Sequence, residues 1–157
     1  MAAMTRQVKT YNPNHIFVDT NVLIGAYSGD SRYQTDSDCL HYLYSIVGKR
    51  LYISTLSVAQ IISVYQKRKT NDEIRTIVRD LQHRFTIINF TVKDLDTALD
   101  QTGADIEEDD GEHQSSIQFV LARKQKCRVI ITNNYKDYRL LLGAQIIKPS
   151  KVRTIAR

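Results

Sequence analysis

The chain is poor in the features that many small folds rely on. Only two cysteines occur in 157 residues, Cys39 and Cys127. They stand far apart without metal-ligand neighbours, so a disulfide framework or a thiolate metal site is excluded and both are expected to be core thiols. None of the six glycines forms a G-x-G-x-x-G or G-x-x-x-x-G-K-[ST] loop after a strand, which removes dinucleotide and P-loop nucleotide binding. With two prolines there is no linker rich enough to divide the chain, and no internal repeat. No apolar run approaches bilayer length, and the first fifteen residues lack the apolar stretch of a signal peptide. A cytoplasmic protein without membrane association is expected. The four histidines sit in unrelated contexts, and His113 beside Ser115 is too little for a nucleophile triad. No paired acids follow the first predicted strand, which disfavours a phospho-acceptor site.

What is present is an ordinary globular balance, 42% hydrophobic and 25% charged, in a length that suits one α/β domain. The net charge of +5 conceals an asymmetry: residues 105–112 hold six acids in eight positions, so the rest of the chain carries +11. Basic clusters lie at Lys67, Arg68 and Lys69, at Arg123, Lys124, Lys126 and Arg128, and at Lys148, Lys151, Arg153 and Arg157. Such a surface suits a polyanion, whose phosphates supply sequence-independent affinity. Plain solvation of charged faces remains the alternative.

Periodicity alternates between strand and helix. Short apolar runs predict strands at His15–Val18, Leu51–Ile53, Phe85–Phe90, Val129–Ile131 and Gln145–Ile147. Helical spacing joins Leu40, Leu43, Tyr44 and Val47 before Gly48, then Val58, Ile61, Ile62 and Tyr65. Thr70 and Glu73 form a capping box ahead of Ile74, Ile77, Val78 and Leu81. Thr91 is placed to cap a helix through Leu95 and Leu99; a further helix carries Ile117, Val120 and Leu121, and a short one Leu140–Leu142. Alternation of this kind predicts a three-layer α/β/α domain over residues 15–148, with a central, mostly parallel sheet of four to five strands. Residues 1–14 and 149–157 are expected to be peripheral tails.

Two of these strands end in oxygen-bearing side chains. The run His15–Val18 stops on Asp19, Thr20 and Asn21, and Val129–Ile131 stops on Thr132, Asn133 and Asn134. Ligands of open α/β sheets bind outside the carboxyl ends of the strands. If the two strands are neighbours, Asp19 and Asn134 face one another across a crevice. Asp19 and Asn21 could equally serve only to cap the next helix.

The opening Val18-Asp19-Thr20-Asn21-Val22-Leu23, the segment Gln118–Ala122 and the ending Ile130-Ile131-Thr132-Asn133-Asn134-Tyr135-Lys136-Asp137-Tyr138 resemble the PIN domain, a family of metal-dependent ribonucleases that includes many bacterial toxins. The resemblance spans about residues 15–148. It implies a site in which acidic side chains gather one or two Mg²⁺ or Mn²⁺ ions that activate water against an RNA phosphodiester. Carried over by position, the first family acid is Asp19, the second falls on Gln60, the third on Ser115 and the fourth on Asn134. Asp137 matches a residue that braces the last helix. One charged ligand of four therefore remains, and Glu112, one helical turn before Ser115, is the candidate replacement; Asp109 and Asp110 are nearer to a solvated loop. The implied site is Asp19, Asn134, Glu112 and Ser115, with Asp19, Asn134 and Glu112 on the metal and Thr20 and Thr132 orienting. RNA as partner, a neighbouring antitoxin and a homodimer follow from the resemblance alone. The rival expectation is a catalytically degenerate PIN-like module that binds RNA or protein without turnover.

Overall fold

The computed structural model describes residues 11–101, 112–138 and 144–155, with only the backbone described at 101, 112–116, 137 and 138. The acidic run up to Gly111, the short helix expected at Leu140–Leu142 and the side chains of Glu112, Ser115 and Asp137 lie outside the described set.

Five strands, β1 (Asn12–Val18), β2 (Arg50–Ser54), β3 (Thr86–Ile88), β4 (Cys127–Ile131) and β5 (Gln145–Ile147), form one sheet in the order β3-β2-β1-β4-β5. Every pairing is parallel. The register sets Phe17 beside Tyr52 and Ile130, and Val18 beside Ile131. Because successive side chains point to opposite faces, each strand feeds two cores. Ile16, Val18, Leu51, Ile53, Val129 and Ile131 face one layer, and Phe17, Tyr52 and Ile130 face the other. Residues 16–18 of β1 are 0% exposed, so both faces of this central strand are covered. Burying each such side chain contributes about 1.5–3 kcal/mol.

The first layer is built by α1 (Thr20–Tyr27), α2 (Gln34–Ser45), α3 (Thr55–Tyr65) and α4 (Asn71–Arg84), which supply Val22, Leu23, Leu40, Leu43, Ile61, Tyr65, Ile74, Ile77 and Leu81. On the second face, α6 (Glu112–Lys124) presents Phe119, Leu121 and Ala122, and α5 (Val92–Gln101) packs against α6. The three-layer architecture and the parallel sheet expected from the sequence are both present.

Local signals explain most helix starts. Thr70 Oγ1 accepts from Glu73 N at 3.2 Å and also lies 3.2 Å from the Glu73 carboxylate. Thr91 and Asp94 form the same kind of reciprocal cap on α5, with Thr91 N donating to Asp94 Oδ2 at 2.8 Å. Gly48, at φ +83, supplies the left-handed turn after α2. The turn from α6 into β4 instead places Lys126 at φ 56, and its carbonyl accepts from Asn12 N at 2.8 Å.

Several boundaries differ from expectation. Asn12–Asn14, expected in the leading tail, belong to β1. Residues 149–155, expected as a trailing tail, form a 3-10 turn that buries Val152 and Ile155, and Tyr42 Oη donates to the Ile155 carbonyl at 2.6 Å. Val47 is 92% exposed because α2 stops at Ser45, so Val47 lies beyond the helical stripe whose Leu40 and Leu43 are buried. The third strand is limited to Thr86–Ile88, since only three residues find partners on β2.

Removal of the α4 cap tests this account of local structure. Thr70→Ala should lower folding stability by about 1 kcal/mol in urea denaturation, the usual worth of a side-chain cap. A change indistinguishable from zero would mean that α4 is held by Ile74, Ile77 and Leu81 alone.

Candidate active site

β1 and β4 end side by side, and their polar tips interlock. Asp19 N donates to the Ile131 carbonyl at 2.9 Å, extending the ladder by one bond beyond β1. Asp19 is 6% exposed, and among the described residues its Oδ1 accepts from Thr20 N at 2.8 Å and its Oδ2 from Thr132 Oγ1 at 2.8 Å and Asn21 Nδ2 at 3.2 Å. Asp19 is thus the N-cap of α1 as well as the acid at the mouth of the sheet. The capping role and the site role are not exclusive.

Asn134 stands farther out. It is exposed, and its described bond runs from its backbone N to Thr132 Oγ1 at 3.0 Å. Thr132 therefore bridges the two residues that the sequence pairs. Gln60 is half-buried on α3. Glu112 and Ser115 lie on the first turn and a half of α6.

Behind Asp19 lies a closed network of buried side chains that the sequence does not announce. Gln118 of α6, 2% exposed, donates from Nε2 to Thr20 Oγ1 at 3.0 Å and to Ser57 Oγ at 2.8 Å. Its Oε1 accepts from Ser54 Oγ at 2.6 Å, and Thr20 Oγ1 donates to Ser57 Oγ at 2.7 Å. Ser54 also caps α3 through Ser57 N at 3.1 Å. One amide thus ties α1, α3 and α6 together directly behind Asp19. It holds the helix that carries Ser115, three residues earlier, beside the mouth of the sheet. A residue pattern could have revealed it only through Gln118 itself, a polar residue among Ile117, Phe119, Val120 and Leu121.

In front of Asp19, a second chain of bonds runs to an acid absent from the sequence-based site. Asn21 Oδ1 accepts from Asn133 N at 3.1 Å, and Asn133 Nδ2 donates to Asp36 Oδ1 at 2.9 Å. Asp36, on the first turn of α2, is 6% exposed. It reaches this place because α1 carries Gly25: a Cβ there would fall 1.9 Å from Asp36 Oδ2. Burial pushes the Asp36 carboxyl above its ordinary pKa, and the bond from Asn133 offsets part of that shift. Burial also pushes both thiols, Cys39 and Cys127, up to about 12, which leaves them inert core residues as expected.

Among the described residues, no group of three or more His, Cys, Asp and Glu side chains could hold a metal ion. The described donors at the mouth are one carboxylate with neutral amides and hydroxyls. A hard divalent cation takes oxygen ligands and is bound through carboxylates, so this set fits one only if a further acid joins Asp19.

A parallel α/β/α sheet whose central strand ends on a bonded carboxylate, with hydroxyl and amide neighbours from the adjacent strand, defines the class as an open α/β domain with a polar site at its strand ends. The PIN domain family matches residues 16–140, and the chain belongs to that family. It is 24% identical over 138 residues to Ribonuclease VapC1 of Aquifex aeolicus, covering 81% of this chain and 86% of that protein. Among solved structures, a toxin–antitoxin complex from Klebsiella pneumoniae aligns with a TM-score of 0.61 at 21% identity, over 85% of this chain and 97% of that one. VapBC2 from Rickettsia felis, bound to a DNA fragment from its promoter, aligns at 0.59 and 18%, over 85% and 98%. Mycobacterium tuberculosis VapC20, a Sarcin-Ricin loop cleaving toxin, aligns at 0.57 and 14%, over 73% and 86%. At these identities the solved structures speak for the fold.

Two stability predictions arise from the networks. Gln118→Leu removes the shared partner of three buried hydroxyls and should cost about 2 kcal/mol in urea denaturation; a loss under about 0.5 kcal/mol would show that the hydroxyls satisfy one another. Asp36 gives a pH signature. Its folded state binds the proton more tightly than the unfolded chain, so its stabilising contribution is full below the ordinary value of 3.8 and is lost as pH rises through the raised value. Asp36→Asn keeps the acceptor for Asn133 and removes that penalty. The variant should be more stable than wild type at neutral pH, by a margin that shrinks toward about pH 4. Parallel stability–pH curves for the two proteins would contradict this.

Proposed function

We propose that this chain is a ribonuclease that hydrolyses RNA phosphodiesters with Mg²⁺ or Mn²⁺, acting in the cytoplasm as the toxin of a toxin–antitoxin pair. The observation that carries the reading is Asp19 at the end of the central strand, where Thr132, just past the neighbouring strand, donates to its carboxylate. Membership of the PIN domain family and the likeness to a curated ribonuclease support it. The antitoxin partner rests on the likeness to toxin–antitoxin complexes.

In this reading Asp19 and Glu112 supply the carboxylates for the cation and Asn134 a neutral oxygen, with Ser115 in the same mouth. The bound cation would activate water and offset charge at the phosphodiester. Thr132 and Asn21 hold the Asp19 carboxylate in one orientation, which limits the rearrangement needed when substrate arrives. Arg68 and its basic neighbours Lys67 and Lys69 offer phosphate contacts at the end of α3. The bond from Gln118 to Thr20 supports this reading, because it anchors α6, the helix that begins at Glu112, to the residue next to Asp19.

Single-stranded RNA cleavage in Mn²⁺ tests the proposal, together with Mn²⁺ binding by calorimetry. Asp19→Asn and Glu112→Gln should each reduce the cleavage rate beyond the roughly 10–100-fold typical of residues one shell away from a metal. Both should weaken Mn²⁺ binding in parallel. Cleavage that persists in a chelator, or in Asp19→Asn, would overturn the assignment. RNA binding without turnover, unchanged by metal and by Asp19→Asn, would identify the degenerate module, the outcome favoured by Gln60 and Ser115 at family acidic positions.

A further inference from the structure

Beside the Asp19 mouth, a cleft of about 680 Å³ opens between α1, α2 and α3. Its wall includes Asn21 and Asn133, the two amides that lead to Asp19, so cleft and mouth are continuous. The volume falls within the roughly 300–1,000 Å³ of sites that enclose small organic groups. Its floor holds an unexplained polar atom. Asp36 Oδ1 is occupied by Asn133, but among the described residues no donor reaches Asp36 Oδ2, although the side chain is 6% exposed. A buried acceptor without a donor is rare in folded proteins and calls for an external one. The Gly25 backbone lies directly against that oxygen, and Gly25 also lines the cleft, so nothing larger than hydrogen covers the oxygen from α1.

We propose that this cleft is a nucleobase pocket: it takes one unpaired base of the RNA strand next to the cleaved linkage, the base donating an N–H to Asp36 Oδ2. The inference rests on the ribonuclease reading for its RNA, and on the cleft itself for its chemistry. Every nucleobase presents an N–H edge to an acceptor, and the amides of Asn21 and Asn133 add donors and acceptors beside it. Tyr33 lines the rim, is 43% exposed and carries the Arg32 guanidinium over its ring, 5.7 Å from the centroid, an aromatic–arginine pair of the kind on which unpaired bases stack. Arg32 and Arg68 share that rim. Asp30 pairs with Arg32 at 2.7 Å and also senses Arg68, so the rim keeps a net positive charge. That charge suits the phosphates on either side of a base.

Two variants separate the possibilities. Val64 on α3 is 38% exposed and lines the cleft, so Val64→Trp fills the pocket without touching the core. Asp36→Asn replaces the carboxylate acceptor by an amide of the same size and leaves the volume of the cleft unchanged. Fluorescent single-stranded RNA bound in the presence of EDTA should lose about tenfold in affinity on Val64→Trp. Cleavage of a randomised RNA in Mn²⁺ should show a base preference beside the cut, and Asp36→Asn should reduce that preference by about tenfold. RNA binding that Val64→Trp weakens, without cleavage by wild type, would remove the ribonuclease reading and keep the pocket. Cleavage whose base preference and RNA affinity survive both variants would keep the ribonuclease and overturn the pocket. Loss of a protein partner alone on Val64→Trp would overturn it too.

Discussion

Everything at the mouth of this molecule depends on β1 and β4 lying next to one another in parallel. The contact that extends the ladder beyond β1 is a single backbone bond, from Asp19 N to the Ile131 carbonyl. It sets the register in which Thr132 Oγ1 meets Asp19 Oδ2, two residues separated by most of the chain. A slip of one residue would turn Thr132 to the other face and leave the Asp19 carboxylate buried with fewer donors, a costly state for a charge. The apolar burial of residues 16–18 and 129–131 on both faces of the sheet is what forbids that slip. The site is therefore a consequence of core packing, and its precision is inherited from the core.

Two polar networks flank that contact and differ in kind. Behind Asp19, Gln118, Thr20, Ser54 and Ser57 satisfy one another inside the protein, out of reach of solvent. A complete buried network of this sort specifies which helix stands where more than it adds stability. In front, Asn21, Asn133 and Asp36 form an open chain that ends on a carboxylate oxygen without a donor among the described residues. The closed network fixes the frame on which a nuclease site would be built. The open one leaves a polar surface available to what enters the cleft.

Much of the fold was legible because its physics is local. Strand runs flanked by turn residues placed β1, β2, β4 and β5 to within a few residues, and Gln145–Ile147 matched at both ends. The Thr70 and Thr91 caps were readable for the same reason, since their partners lie three residues away. Errors arose where distant contacts decided. The last turn reads as a tail in sequence because nothing nearby shows that Val152 and Ile155 pack beside α2. Val47 fitted the helical stripe, but α2 ended before it.

At the site the division is sharper. The chain by itself determined that two apolar runs end in Asp19 and Thr132, because the alternation of burial that makes a strand is written in neighbouring residues. The family resemblance adds the expectation that Gln60, Ser115 and Asn134 stand at positions where the family carries acids. Thr132 was expected to orient Asp19 and does so, whereas only the tertiary structure decided that Asn21 joins it, that the Thr20 hydroxyl turns instead to Ser57 and Gln118 in a network behind, and that Asp36 belongs to the same neighbourhood. Asp36 depends on Gly25 and Asn133, residues on other elements whose approach is set by helix packing. Contacts between residues far apart in the chain have no local pattern, and the packed core alone brings them together.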